Sequence, residues 1–106
     1  MNPLIRFIDE HTFEVKGAKI PYKEFYSKFH SILPEEEKAY WTHRQVTAKL
    51  PRQHPSGRSG GDGDTFIANI SWSSNVKTDG IELVVQDGRL RPKPEADRRE
   101  REKDEK

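Results

Sequence analysis

Apolar residues recur along residues 22–33 with the spacing of one helix face. Tyr22, Phe25, Tyr26, Phe29, Ile32 and Leu33 stand at i, i+3, i+4, i+7, i+10 and i+11. The spacing predicts a helix opened by Pro21 and ended by Pro34, its aromatic stripe in the core and Lys23, Lys28 and His30 on the wet side. Upstream, Asn2 and Pro3 make a helix opening, a cap followed by a residue whose missing N–H costs nothing there. Leu4, Ile5, Phe7 and Ile8 give that first helix an apolar side, ending near Glu10 or His11. Phe13 and Val15 alternate with polar neighbours and Gly17 turns, so a small strand is expected around Ala18 to Ile20, its edge free to pair with a later hairpin.

A third, shorter helix is expected from Thr42 to Leu50. The Thr42 hydroxyl can cap its first turn, Val46 and Leu50 point inward at i and i+4, and Pro51 stops it. Trp41, just ahead of the cap, is placed to act as a hydrophobic staple against Val46. Before it, Glu35, Glu36 and Glu37 suit a short turn, where peptide dipoles favour acids. The run Ser56 to Asp64 holds four of the seven glycines and no apolar residue, and reads as a mobile wing tip. Beyond it, Phe66, Ala68, Ile70 and Trp72 fall on one face of a half-buried strand. Ile81, Leu83 and Val85 form another strand, and Asp87 with Gly88 a hairpin turn toward Leu90. Whether that last hairpin joins the wing sheet is left open by the pattern.

Composition narrows the class. The chain has 106 residues, 31% of them apolar, which suits one small domain with a compact, aromatic-rich core, assigned to residues 1–90. Residues 91–106 are almost wholly charged, with seven bases against six acids, and are expected to be a disordered tail. There is no cysteine, hence no disulfide framework or thiolate zinc site. His11, His30, His43 and His54 show no HxxxH or HExxH spacing, so neither a metal nor a cofactor is expected. No apolar run nears the roughly twenty residues that span a bilayer, and no signal-peptide layout opens the chain; a cytoplasmic protein without a membrane partner is expected.

Charge distribution points to a partner. From Asp9 to Glu37 there are seven acids and four lysines, a balance of −3, whereas Lys38 to Gly61 holds five bases and no acid. Such segregation gives a polyanion one attractive and one repulsive face. A short helix with amide and guanidinium side chains, followed by a basic glycine-rich hairpin, is how a winged helix meets DNA. The expected fold is therefore α+β: a winged helix-turn-helix of about three helices on a small antiparallel sheet. Its DNA-binding residues are Thr42, His43, Arg44, Gln45, Thr47, Lys49, Arg52, His54 and Arg58. Arg44 and Gln45 are assigned to base edges, Thr47, Lys49, Arg52 and Arg58 to phosphates. The alternative is a protein-docking module with Tyr40 and Trp41 as exposed anchors. No nucleophile stands beside His30, His43 or Glu36, so an enzyme is not expected.

The order IPYKEFYSKFHSIL, PEEEKAYWTHRQVTAKLP, a Gly-rich gap and TFIANISW resembles the C-terminal winged-helix domain of phage and plasmid primase-helicases of the superfamily-three type. The resemblance covers about two thirds of the chain, Asn2 to Trp72, and rests on patterns of residue type. It implies an accessory domain that binds duplex DNA, as at a replication origin, beside a helicase motor and other replication proteins. The chain itself has no GxxxxGKS nucleotide loop and no primase acid pair. The segment after Trp72 has no counterpart in the family pattern.

Overall fold

The computed structural model describes residues 2–95. They form an α+β domain of four helices and a five-stranded mixed sheet. The elements run α1 (Pro3–His11), β1 (Phe13–Pro21), α2 (Tyr22–Ile32), α3 (Glu35–Lys38), α4 (His43–Lys49), β2 (Ser56–Ser59), β3 (Asp64–Ser71), β4 (Leu83–Gln86) and β5 (Arg89–Pro92). The sheet order is β1-β3-β2-β5-β4.

Helix boundaries follow local chemistry. The Asn2 side chain accepts from the Ile5 N–H at 2.8 Å, and Thr12 ends α1 by donating its hydroxyl to the Ile8 carbonyl. Thr42 caps α4 by accepting from the Gln45 N–H at 3.3 Å. Trp41 and Val46, the stapled positions, are both buried in the core. That core joins Leu4, Phe7 and Ile8 of α1 to Phe25, Phe29 and Leu33 and to Ile20, Ile67 and Ile70 of the sheet. Phe7 meets Phe25 and Phe29 edge-on at 5.2 and 5.5 Å between centroids, an arrangement that ring quadrupoles favour. Ile32 is exposed instead of buried, because the helix ends there and the chain turns extended at Leu33, which takes the inward place.

The sheet departs from expectation in three ways. First, β1 is longer than the piece around Ala18 to Ile20 and pairs along β3 with a large bulge. Between Glu14↔Ile70 and Lys19↔Ala68 it advances five residues while β3 advances two. Second, simple alternation fails in β3: Ile67 and Ile70, three apart, both enter the helix-side core. Asn69 lies between them with φ +60, and this left-handed residue resets the side-chain phase. Third, the sheet is mixed, because the last hairpin does join it, β5 lying parallel to β2 at Arg58↔Arg89. Gly57 permits that docking: a Cβ there would stand 3.1 Å from Leu90 and 3.3 Å from Val85. Arg91 and Pro92, expected in the charged tail, pair instead with Val84 and Leu83 of β4. The rest of that expected tail, from residue 96 on, lies outside the described residues.

Asn69 joins these irregular parts. Only 2% exposed, it uses its whole side-chain amide. Its Oδ1 accepts from the Gly17 N–H in the β1 bulge at 3.2 Å and from the Leu83 N–H at 2.7 Å. Its Nδ2 donates to the Gln53 carbonyl at 3.1 Å and the Leu83 carbonyl at 2.9 Å. Losing those bonds leaves partly buried backbone groups without their partner, so Asn69→Ala is expected to lower the unfolding free energy by about 2 kcal/mol. Asn69→Gly, at ease with positive φ, is expected to lose about 1 kcal/mol less. Urea unfolding measures both; a loss under about 1 kcal/mol for the alanine variant would mean water replaces the amide.

Candidate nucleic-acid interface

The expected site residues divide among different parts of the surface. His43, at the start of α4, and Arg58, on β2, border one groove of about 710 Å3. Register explains how Arg58 gets there. Ile20 pairs with Ile67 and Ser56 with Ile67, on the helix side of the sheet; Arg58, two residues beyond Ser56 and opposite Thr65, points the same way. Pairing of Pro21 with Phe66 brings the opening of α2 to the wing, so Tyr22 and Lys23 also border the groove. Neither residue is assigned to the site by the sequence pattern; the sign available is a tyrosine in place of phenylalanine at the head of the apolar stripe. Asp62 and Asp64 of the wing enter the same groove, so it is not purely basic.

Arg44 and Thr47 are exposed on α4 and Gln45 is half-buried. Among the described residues the ion pairs are Arg6 with Glu10 and Lys38 with Glu35, which leaves Arg44 and Arg58 without a carboxylate partner and takes Lys38 out of the basic run. The Thr42 hydroxyl serves as the helix cap. Lys49 borders a different depression, beside Glu37, Tyr40 and Trp41. Arg52 borders a third, with Glu14, Lys16 and Glu82. Glu14 pairs with Ile70 and Pro21 with Phe66, four positions apart on β3, so the Arg52 depression and the His43 groove are separated by about 13 Å along the strand.

His54 is not a surface residue. It is 2% exposed, and a carbonyl cannot donate, so its Nδ1 carries the proton that goes to the Ala68 oxygen at 3.0 Å. The loop around it is held by a further bond from the Ala68 N–H to the Pro55 carbonyl. Prolines on either side keep this stretch from reading as a strand, but nothing local announces that its histidine turns inward. Trp41, 3% exposed, is likewise unavailable as a docking anchor, while Tyr40 is 51% exposed. The Trp41 ring meets Phe29 edge-on at 5.5 Å, as part of the core.

His43 is exposed yet fixed. Its ring stacks on Tyr26 at 3.9 Å between centroids and 25° between planes. The single phenolic proton of Tyr22 goes to the His43 carbonyl at 3.3 Å, so Nδ1–H donates to the phenol oxygen at 3.2 Å. Burial raises the Tyr22 pKa above its ordinary 10.0; a hydrogen bond with Thr47 opposes the rise and the neighbouring Tyr26 adds to it.

Among the described residues no group of three His, Asp or Glu side chains converges to hold a metal ion. No described helix is long and apolar enough to cross a membrane. No protein-family model, curated protein or solved structure matches this chain.

His54→Ala is expected to destabilise the fold by about 2 kcal/mol, through the missing hydrogen bond and the space left behind. Chemical unfolding checks it, and an unchanged midpoint would contradict a structural role. For Tyr22, a raised folded-state pKa means that the folded protein keeps the proton at pH values where the unfolded chain has released it. Its contribution to stability is whole below the ordinary tyrosine range and falls as pH rises through the folded value. Against Tyr22→Phe, the parent is expected to lose stability more steeply above about pH 10 in thermal unfolding. Parallel curves for the two proteins would contradict it.

Proposed function

We propose that this domain is a winged-helix module that binds duplex DNA, α4 entering the major groove and the β2–β3 hairpin serving as the wing. The observation that carries the reading is the meeting of α4, through His43, and the hairpin, through Arg58, across one groove. Arg44 is exposed on the same helix outside the lining of that groove, and neither arginine has a carboxylate partner among the described residues. The order α1-β1-α2-α4-β2-β3, with β1 beside β3 and β2 beyond it, also suits a winged helix, α3 and the β4–β5 hairpin being additions. The α4 helix buries Val46 and keeps Arg44 and Thr47 outward, which leaves a guanidinium free to pair with guanine. Arg58 and Lys23 supply phosphate contacts from the wing and from α2.

The resemblance to the C-terminal domain of primase-helicases extends this reading to an accessory role in replication of a mobile element, the domain holding origin DNA for a helicase motor. Lys49 and Arg52 take a lesser part than Arg44 and Arg58, since each borders a depression that also holds glutamates, Glu37 beside Lys49 and Glu14 and Glu82 beside Arg52.

Fluorescence anisotropy with duplex DNA at two salt concentrations tests the assignment. Removing a cation that neutralises one phosphate reduces the log-log salt slope by about 0.9. Arg58→Ala is expected to weaken all duplexes alike and reduce the slope by about one; Arg44→Ala is expected to relax sequence preference. Arg52→Ala is expected to bind almost as the parent does. If Arg44→Ala and Arg58→Ala both retain parental affinity and slope, the interface lies elsewhere.

A further inference from the structure

The His43 groove has a feature that duplex binding leaves unused. A surface imidazole is ordinarily free to rotate, but this one is the outer step of a stack of rings. It lies on Tyr26, which in turn stacks on His30 at 5.0 Å and 21°. Tyr22 holds it through Nδ1, and His30 is tied by Nε2 to the Lys38 carbonyl at 3.0 Å. Tyr26 stacks on one face of the His43 ring and Tyr22 stands against it at 5.6 Å and 48°, while the residue as a whole is exposed and borders the groove. An aromatic ring set in place beside cations is what a base with no partner stacks upon, whereas the bases of an intact duplex have both faces covered. The wing carboxylates agree. Asp62 and Asp64 oppose a run of phosphates but accept hydrogen bonds from the N–H edge of an unpaired base. At about 710 Å3 the groove falls within the range of clefts that hold small ligands.

We infer that this groove takes one unpaired nucleotide, its base stacked on His43 and its phosphate between Lys23 and Arg58, so that the domain prefers a duplex with an unpaired end. The inference rests on the DNA-binding reading and names the form of DNA preferred. The test compares a blunt duplex with the same duplex carrying a short unpaired adenine tail, by fluorescence anisotropy with the full chain. The tail is expected to raise affinity about tenfold. His43→Ala is expected to abolish the gain, and His43→Phe, which keeps a flat ring and drops the ring nitrogens, to retain it. A parental protein with 2-aminopurine as the first unpaired base provides a readout independent of any variant's folding: stacking is expected to quench its fluorescence on binding. Equal affinity for blunt and tailed duplexes overturns the inference and leaves duplex binding standing. Failure to bind either DNA removes both readings. Unquenched 2-aminopurine, or His43→Phe behaving as His43→Ala, overturns the stacking contact.

Discussion

The buried amide of Asn69 is the constraint on which the rest of the sheet depends. A bulge in β1, the loop leading into β2 and the start of β4 each present backbone groups that regular strand pairing leaves unmet. One side chain meets them from Gly17, Gln53 and Leu83. The left-handed backbone at Asn69 is tolerable because asparagine is among the few residues that visit it. The same twist turns both Ile67 and Ile70 toward the helices. Without it, a strict two-residue alternation would send one of these isoleucines to the opposite face of the sheet.

The irregularity has consequences at the far end of β3. There the pairing is regular, Ile20↔Ile67 and Pro21↔Phe66, and the entry to α2 is carried to the side of the wing. The groove is thus made by three segments distant in sequence: the opening of α2, the opening of α4 and the β2–β3 hairpin. The β4–β5 hairpin steadies it from the other side. Arg89 donates to the Gly60 carbonyl at 3.0 Å, and the Arg58 N–H donates to the Gly88 carbonyl at 2.9 Å. A wing rich in glycine is thus tied to the β4–β5 hairpin by one side-chain and one backbone hydrogen bond.

Much of the helical framework is legible in the chain. The stripe from Tyr22 to Leu33, the Asn2 and Thr42 caps and the terminating prolines act over one or two turns, and the elements stand where those signals put them. The candidate site is legible only in part. His43 and Arg58 share a groove, but Arg52 and Lys49 lie elsewhere, and His54 is buried. Counting charge along the chain cannot distinguish these outcomes, because neighbouring loop residues can face opposite ends of a sheet. Tyr22 and Lys23 belong to the groove through strand register, which no local pattern records.

What the sequence by itself determined is the set of local decisions: where helices begin and end, which stretches are apolar enough to be core, and where glycine and proline interrupt. Those rest on short-range sterics and capping, which need only nearby residues. Tertiary structure decided the rest: the β1 bulge, the inward turn of His54, the joining of the last hairpin to the sheet and the company that Arg58 keeps. Each of these is settled by strand register, packing or hydrogen bonds between segments far apart in the chain, and such contacts exist only once the chain has folded.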